Sequence, residues 1–243
     1  MDKFARQLTT KQLNINMLKV SVLCGFMMAL FTLTSCNSGK TNFTEDELSI
    51  INGTDSIMRV LTIDRPDDLA VLRAQSSDLP TEALSSEDYA TLAKLMIATV
   101  THPSQDGVGI AGPQVGLNRR VVAVQRFDKE GEPFEVYGNI RIVEKHGEKE
   151  PGAEGCLSVP DRRGDVERWQ DIEIEYDAVF SEGKVTVQPV RERIQGFTAV
   201  IFQHETDHLD GVLYIDRLES FRLRNDIGER GKGWNRIQLL LRI

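Results

Sequence analysis

The chain has 243 residues, 40% apolar and 27% charged, the balance of an ordinary soluble globular protein with room for one medium domain and a full core. Its formal net charge of −8 argues against a general nucleic-acid-binding surface. Of its three cysteines, Cys24 and Cys36 fall in an atypical N-terminus, so Cys156 stands alone in the body and no internal disulfide framework is possible there.

Residues 1–35 read as a secretory signal. Lys3, Arg6, Lys11 and Lys19 precede an apolar run, Val20 to Leu33, that is short for a permanent bilayer span. The run ends in Leu33-Thr34-Ser35-Cys36, which resembles the lipobox of bacterial lipoproteins. That resemblance implies cleavage before Cys36, lipidation of Cys36 and a membrane anchor outside the cytoplasm. Losing residues 1–35 would shift the net charge from −8 to −11. The plainer readings are an uncleaved anchor or an over-extended gene start. Translation from Met17 gives a tighter signal, and translation from Met58 removes it and leaves a cytoplasmic protein. Residues 36–57 are polar and lack apolar periodicity, so they are predicted to form a flexible tether.

Val60 to Ile63 reads as a short edge strand ending at Asp64-Arg65-Pro66. A helix is predicted from an N-cap at Ser86 to Val100, its core face formed by Tyr89, Leu92, Leu95, Met96 and Thr99. His102-Pro103 stops it, and His102 is read as exposed or structural rather than a ligand. Gly107 to Gly116 is dense in glycine, which lets a backbone approach a ligand or another strand closely. It lacks the Lys-Ser/Thr ending of a phosphate loop. Gln114 is its one polar side chain, either a positioned donor or an ordinary turn residue. Arg120 to Gln125 and Phe134 to Val143 read as strands, Lys145 to Glu150 as a charged loop with a solvated His146. Ile172 to Tyr176 and Lys184 to Val190 read as a hairpin. A helix from Phe197 to His208, stopped by Gly211, follows. Strands first and a site-bearing helix afterwards make the chain α+β.

That last helix carries Gln203-His204-Glu205-Thr206-Asp207-His208. One turn apart, the His204 and His208 imidazoles reach a single metal ion, and Glu205 lies beside them to take a proton from water. A third ligand is needed. Cys156, in the Gly-flanked turn Glu154-Gly155-Cys156-Leu157-Ser158, is the thiol available, and Cys-His-His leaves a fourth position open as catalytic sites do. The bland alternative is a buried, small hydrophobic Cys156.

The segments Gly107 to Gln114, Glu154 to Pro160 and Gln203 to Gly211 resemble, in order, the three signature motifs of peptide deformylases, over about Met58 to Leu218. The resemblance implies antiparallel sheets packed around a central helix that carries the His-Glu motif, in a catalytic domain spanning 58–218. Residues 219–243 are left as a C-terminal extension of uncertain structure. The resemblance further implies Cys156, His204 and His208 as ligands of one divalent ion, Fe(2+) with Zn(2+) or Ni(2+) accepted, and Glu205 as general base and acid. Gln114 and the Leu157 N–H would stabilise an oxyanion. Val108, Val200 and Ile201 would line a methionine pocket, Gly109 would pair with the peptide backbone, and Arg163 would touch the peptide further along. The implied substrates are N-formylmethionyl peptides or nascent chains, with a monomer and no stable nucleic-acid partner expected.

Three positions depart from the family pattern. Gly112 replaces a usual Ala, a small-for-small change; Ile140 stands where Pro is common; and Gly228, Gly231 and Gly233 argue against a continuous C-terminal helix. Two rival readings remain. A zinc peptidase of the His-Glu-x-x-His type would need a His at position 214, which is Tyr214, or a downstream acid such as Glu229. A non-catalytic surface lipoprotein stabilised by metal would need a fourth protein ligand.

Overall fold

Two strands, 23 and 22 residues long, form the backbone of the fold. In the computed structural model β3 (Phe134–Cys156) and β4 (Val159–Phe180) run antiparallel, with β1 (Gly109–Ala111), β2 (Val121–Gln125) and β5 (Thr186–Gln195) beside them. The structure describes residues 43–54, 56–180 and 185–218. The expected signal, Cys36 and the extension 219–243 lie outside these residues. Strand order is β1-β2-β3-β4-β5, every neighbour antiparallel. This antiparallel sheet with its helices is the expected α+β architecture. Strands this long must bend, and register shifts between Gly138 and Arg141, Ile142 and Glu144, and His146 and Lys149 supply the bends.

Helices cover both faces. α1 (Glu45–Ile51), α2 (Pro66–Leu72), α3 (Thr81–Leu84) and α4 (Glu87–Val100) precede the sheet, and α5 (Phe197–Leu209) follows it. Period-two alternation sends neighbouring residues of β1 and β2 to opposite cores. Ile110, Val121 and Ala123 join α4 and α1 on one side. Ala111, Val122 and Val124 join Ile201 and Phe202 of α5 on the other. Both faces being covered explains why Val121 to Val124 is continuously apolar. Ser86 caps α4, its hydroxyl accepting from the Tyr89 N–H at 3.1 Å, as the sequence predicts. α5 ends at Gly211, whose φ of +71° and whose contact with the Arg73 carbonyl, 2.3 Å from where a Cβ would lie, both require glycine.

Three expectations change. Lys145 to Glu150 is not a loop: it belongs to β3, where Lys149 pairs with Trp169 and its ammonium lies 5.8 Å from that indole ring. The segment is exposed along most of its length, so it carries none of the apolar alternation by which strands are recognised. Val60 to Ile63 forms no strand and enters a turn at Ile63, and its partners are irregular: the Leu61 N–H donates to the Gln114 carbonyl at 2.8 Å and that of Ile63 to the Ser158 carbonyl at 2.9 Å.

The third change concerns the tether. Within it Thr44 and Glu47 form a capping box at the start of α1. Phe43 and Ile51 are buried in the core, with Leu48 and Ile50 packed against it. The folded domain therefore begins at least fifteen residues before Met58, at Phe43. Ile51→Ala is expected to lower stability in urea unfolding by about 2–5 kcal/mol, the cost of truncating a core residue. A substitution in a flexible tether would leave the midpoint unchanged.

Candidate active site

α5 is fixed to the sheet before any ligand is considered. The Gln203 side chain accepts from the Trp169 N–H at 3.1 Å and donates to the Trp169 carbonyl at 2.6 Å, fastening the helix to β4. The next residue, His204, and His208 one turn on are both buried, their ring centroids 5.2 Å apart. Cys156 closes β3 at the turn into β4, opposite Val159. Its Sγ lies 3.2 Å from His208 Nε2, and one ligand atom each from Cys156, His204 and His208 lie within 4.8 Å of one another. Ligands on one tetrahedral ion stand about 3.5 Å apart, so the three need little adjustment to share one.

A relay of charges orients the first ligand. His204 Nδ1 lies 2.8 Å from Glu154 Oε2, which fixes the ring with Nε2 towards Cys156 and His208. Arg168 grips the Glu154 carboxylate with two hydrogen bonds, 2.7 and 3.0 Å, and reaches Asp207 at 2.6 Å. Arg217, in a 3-10 turn (Tyr214–Arg217), closes the chain on Asp207. Burial alone would raise the Glu154 carboxyl, but the hydrogen bonds from Arg168 and His204 bring it down to about 2.

In three groups burial is the largest influence. His208 is held well below the usual 6.5 by burial and then by His204, which favours its neutral form. The Cys156 thiol is pushed up by burial and by Glu205. Glu205 is raised well above 4.5 by burial and then by the Glu154 charge.

Among the described residues, His204 Nε2 and both Glu205 carboxyl oxygens are buried without a hydrogen-bond partner. Unpartnered atoms of this kind are costly in a protein interior unless a ligand meets them. A divalent ion fits the donor set: one soft sulfur, two imidazoles, and an acid beside them that is not needed as a ligand.

The remaining site residues fall around this group. Gln114 is wholly buried in a 3-10 turn (Gly112–Val115). The Ala111 N–H donates to its Oε1 at 2.8 Å, leaving Nε2 directed at Ser158 Oγ, 3.3 Å away, and Cys156 Sγ, 3.5 Å away. Leu157 follows Cys156 directly. Gly109 lies against the acid: a Cβ there would sit 2.4 Å from Glu205 Oε1 and 2.9 Å from Ile201 Cγ2, so β1 must have glycine at that point. Val108 and Ile201 are buried in one cluster with Val200 packed on it, and Arg163 is paired with Gly155 across the β3–β4 ladder. Gly112 is more than a small-for-small change, since a Cβ would lie 2.7 Å from the Leu117 and Arg119 carbonyls.

His102 is exposed, bonded to Ser104, as expected. His146 is half-buried rather than solvated, 3.3 Å from Glu173. Tyr214, where a peptidase of the alternative class would place its third ligand, instead stacks on the His204 ring with centroids 6.1 Å apart. The ion-pair chain Glu154–Arg168–Asp207–Arg217 was not foreseen. Arg168 and Glu154 are 14 residues apart, and only the β3–β4 pairing brings them together.

A Cys-His-His group beside a buried carboxylic acid is the centre of a metal-dependent hydrolase. The model of the polypeptide deformylase family matches residues 57–224. A peptide deformylase of Leptospira biflexa is 34% identical over 188 residues, spanning 73% of this chain and 98% of that protein. The actinonin-bound class I type b peptide deformylase from Acinetobacter baumannii has a TM-score of 0.57 at 33% identity, covering 68% of this chain and 99% of that one. The Met-Ala-Ser-bound structure from the same organism gives 0.57 at 34%, covering 68% and 100%. The chain belongs to the peptide deformylase family.

Two measurements check the electrostatics. Zinc added to metal-free protein at neutral pH should release about one proton, from the Cys156 thiol, and Cys156→Ala should abolish that release. For Glu154 the folded value, about 2, lies below the ordinary 4.5. Its stabilisation is therefore complete above pH 4.5 and lost as pH falls through about 2. Urea unfolding of the metal-free protein should show an acid loss of about 3 kcal/mol that Glu154→Gln lacks.

Proposed function

We propose that the residues around Cys156, His204 and His208 divide formamide hydrolysis among them, with ferrous iron as the native ion and zinc or nickel accepted. The overall activity is that of the family: metal-dependent removal of the formyl group from N-formylmethionyl peptides. A divalent ion held by Cys156, His204 and His208 would supply a Lewis acid able to acidify water and polarise a carbonyl. Glu205 takes the proton from the attacking water and delivers it to the departing amine. A buried carboxyl with a raised affinity for protons suits a group that must hold one between two steps. Oxygen adds to the formyl carbon, the C–N bond breaks, and formate and a free N-terminal amine leave. The Gln114 amide and the Leu157 N–H donate to the oxygen that gains charge, a contribution that is usually large because the donors need not reorganise.

The observation that carries this reading is the convergence of the three candidate ligand atoms beside a Glu205 carboxyl that has no hydrogen-bond partner among the described residues. Val108, Val200 and Ile201 take the methionine side chain, the Gly109 backbone pairs with the extended peptide, and Arg163 meets it further along. The Met-Ala-Ser complex of the Acinetobacter baumannii relative supports a peptide ligand at this site. We assign no nucleic-acid partner and a monomeric state.

For location, we favour the membrane-anchored form outside the cytoplasm, lipidated at Cys36, with formylated peptides there as substrates. Two features support a start upstream of Met58. The Met58 N–H donates to Thr99 Oγ1 at 2.9 Å in a buried setting, where a charged N-terminal ammonium would be costly. A Met58 start would also remove α1 and its buried Ile51. Mass spectrometry of the native N-terminus checks this: a diacylglyceryl Cys36 is expected, and an N-terminus at Met58 would mean the cytoplasmic form.

Glu205→Ala should retain the metal and lower kcat on a formyl-Met peptide by about 10²–10⁴-fold. Wild-type protein should release formate from that peptide and leave its internal bonds intact. Cleavage of an unformylated peptide would point to the peptidase class instead.

A further inference from the structure

α1 and its cap, residues 43–54, precede the family match at 57–224, yet they sit directly behind the turn that carries Gln114. Phe43, Leu48, Ile50 and Ile51 join the core cluster that includes Val115 and Leu117, both within three residues of Gln114. Ile50 Cδ1 lies 3.4 Å from where a Cβ on Gly116 would be. One polar contact completes the seat. Glu47 accepts from Arg119, Nε to Oε1 at 2.5 Å and Nη2 to Oε2 at 3.0 Å, with the two side chains only 14% and 16% exposed. The same carboxylate accepts from the Thr44 N–H at 2.8 Å, so the group that starts the helix also grips Arg119.

Arg119 is the far end of a closed loop. The chain leaves Gly112, turns at Gln114 and returns so that the Leu117 N–H donates to the Gly112 carbonyl at 2.9 Å. The Arg119 and Leu117 carbonyls then press on Gly112, each 2.7 Å from where its Cβ would be. With no slack at that crossing, a shift at Arg119 is passed to the turn bearing Gln114. The guanidinium also donates to Ser77 Oγ at 3.1 Å and the Asp78 carbonyl at 3.3 Å, which ties the loop end to the segment before α3.

We infer that α1 is a positioning element for the reaction: the Glu47–Arg119 pair sets the place of the Gln114 amide through the loop 112–119. This rests on the oxyanion role given to Gln114 above. Neither Glu47 nor Arg119 touches substrate in this account, and both act through the loop.

The test uses the full-length, metal-loaded protein and a formyl-Met peptide, with Glu47→Gln, Arg119→Gln, the double variant, and Gln114→Ala as reference. Glu47→Gln should lower kcat about tenfold with KM and metal content near wild type, alongside some loss of Tm from the broken pair, because a small displacement of an oxyanion donor weakens only the transition state. The double variant should be no slower than Arg119→Gln, as expected for two residues acting through one contact. Gln114→Ala should lose about 10²-fold or more. If Glu47→Gln keeps full kcat while Gln114→Ala loses it, or lowers Tm alone, α1 merely covers the core and the inference falls. Additive losses in the double variant overturn it equally. Retention of kcat by Gln114→Ala would instead bring down the oxyanion reading on which the inference rests.

Discussion

Arg168 is the residue on which the site depends. It is buried between β4 and α5 and holds Glu154 with one side of its guanidinium and Asp207 with the other. Without it two carboxylates would face each other in a medium that cannot solvate them. With it, one of them is free to orient His204. A buried ion pair of this kind often adds little net stability over an apolar substitute, whereas removing one partner is costly. Its contribution here is orientation: it decides which nitrogen of His204 is presented and where the helix stops rotating.

The other fixed points follow the same pattern. Gln203 fastens α5 to a single residue of β4, and Gly109 gives up a side chain so that Glu205 can lie against β1. Glu205 is placed by an absence of bulk, His204 by a chain of charge, and Gln114 by a turn packed tightly at Gly112. These are separate devices, and each is built from backbone or buried side chains rather than from surface contacts.

Much of this was legible in the sequence, for identifiable reasons. His204, Glu205 and His208 share one helix, so periodicity alone puts them together. Ser86 before Glu87 and Asp88 marks the start of α4, and Val121 to Val124 is apolar because both faces of β2 are covered. What escaped was whatever depends on pairing between distant segments: Arg168 beside Glu154, or Arg119 beside Glu47. Lys145 to Glu150 escaped because it is a strand exposed along most of its length, which leaves no pattern to read. α1 is a different case. Thr44 and Glu47 spell a capping box ahead of Leu48, Ile50 and Ile51, and the polar composition around them hid a signal that was present.

The way α5 is secured has a consequence for metal exchange. His204 and His208 are set by Gln203, by the core cluster around Ile201 and Phe202 and by the Arg168 pairs, none of which involves an ion. The free energy of binding is therefore not folding free energy, as it is in a zinc finger that collapses on chelation. Removing the ion leaves a folded receptor with its ligands still in place. A centre of this kind that is stripped of its ion can be reloaded without the chain having to find its fold again.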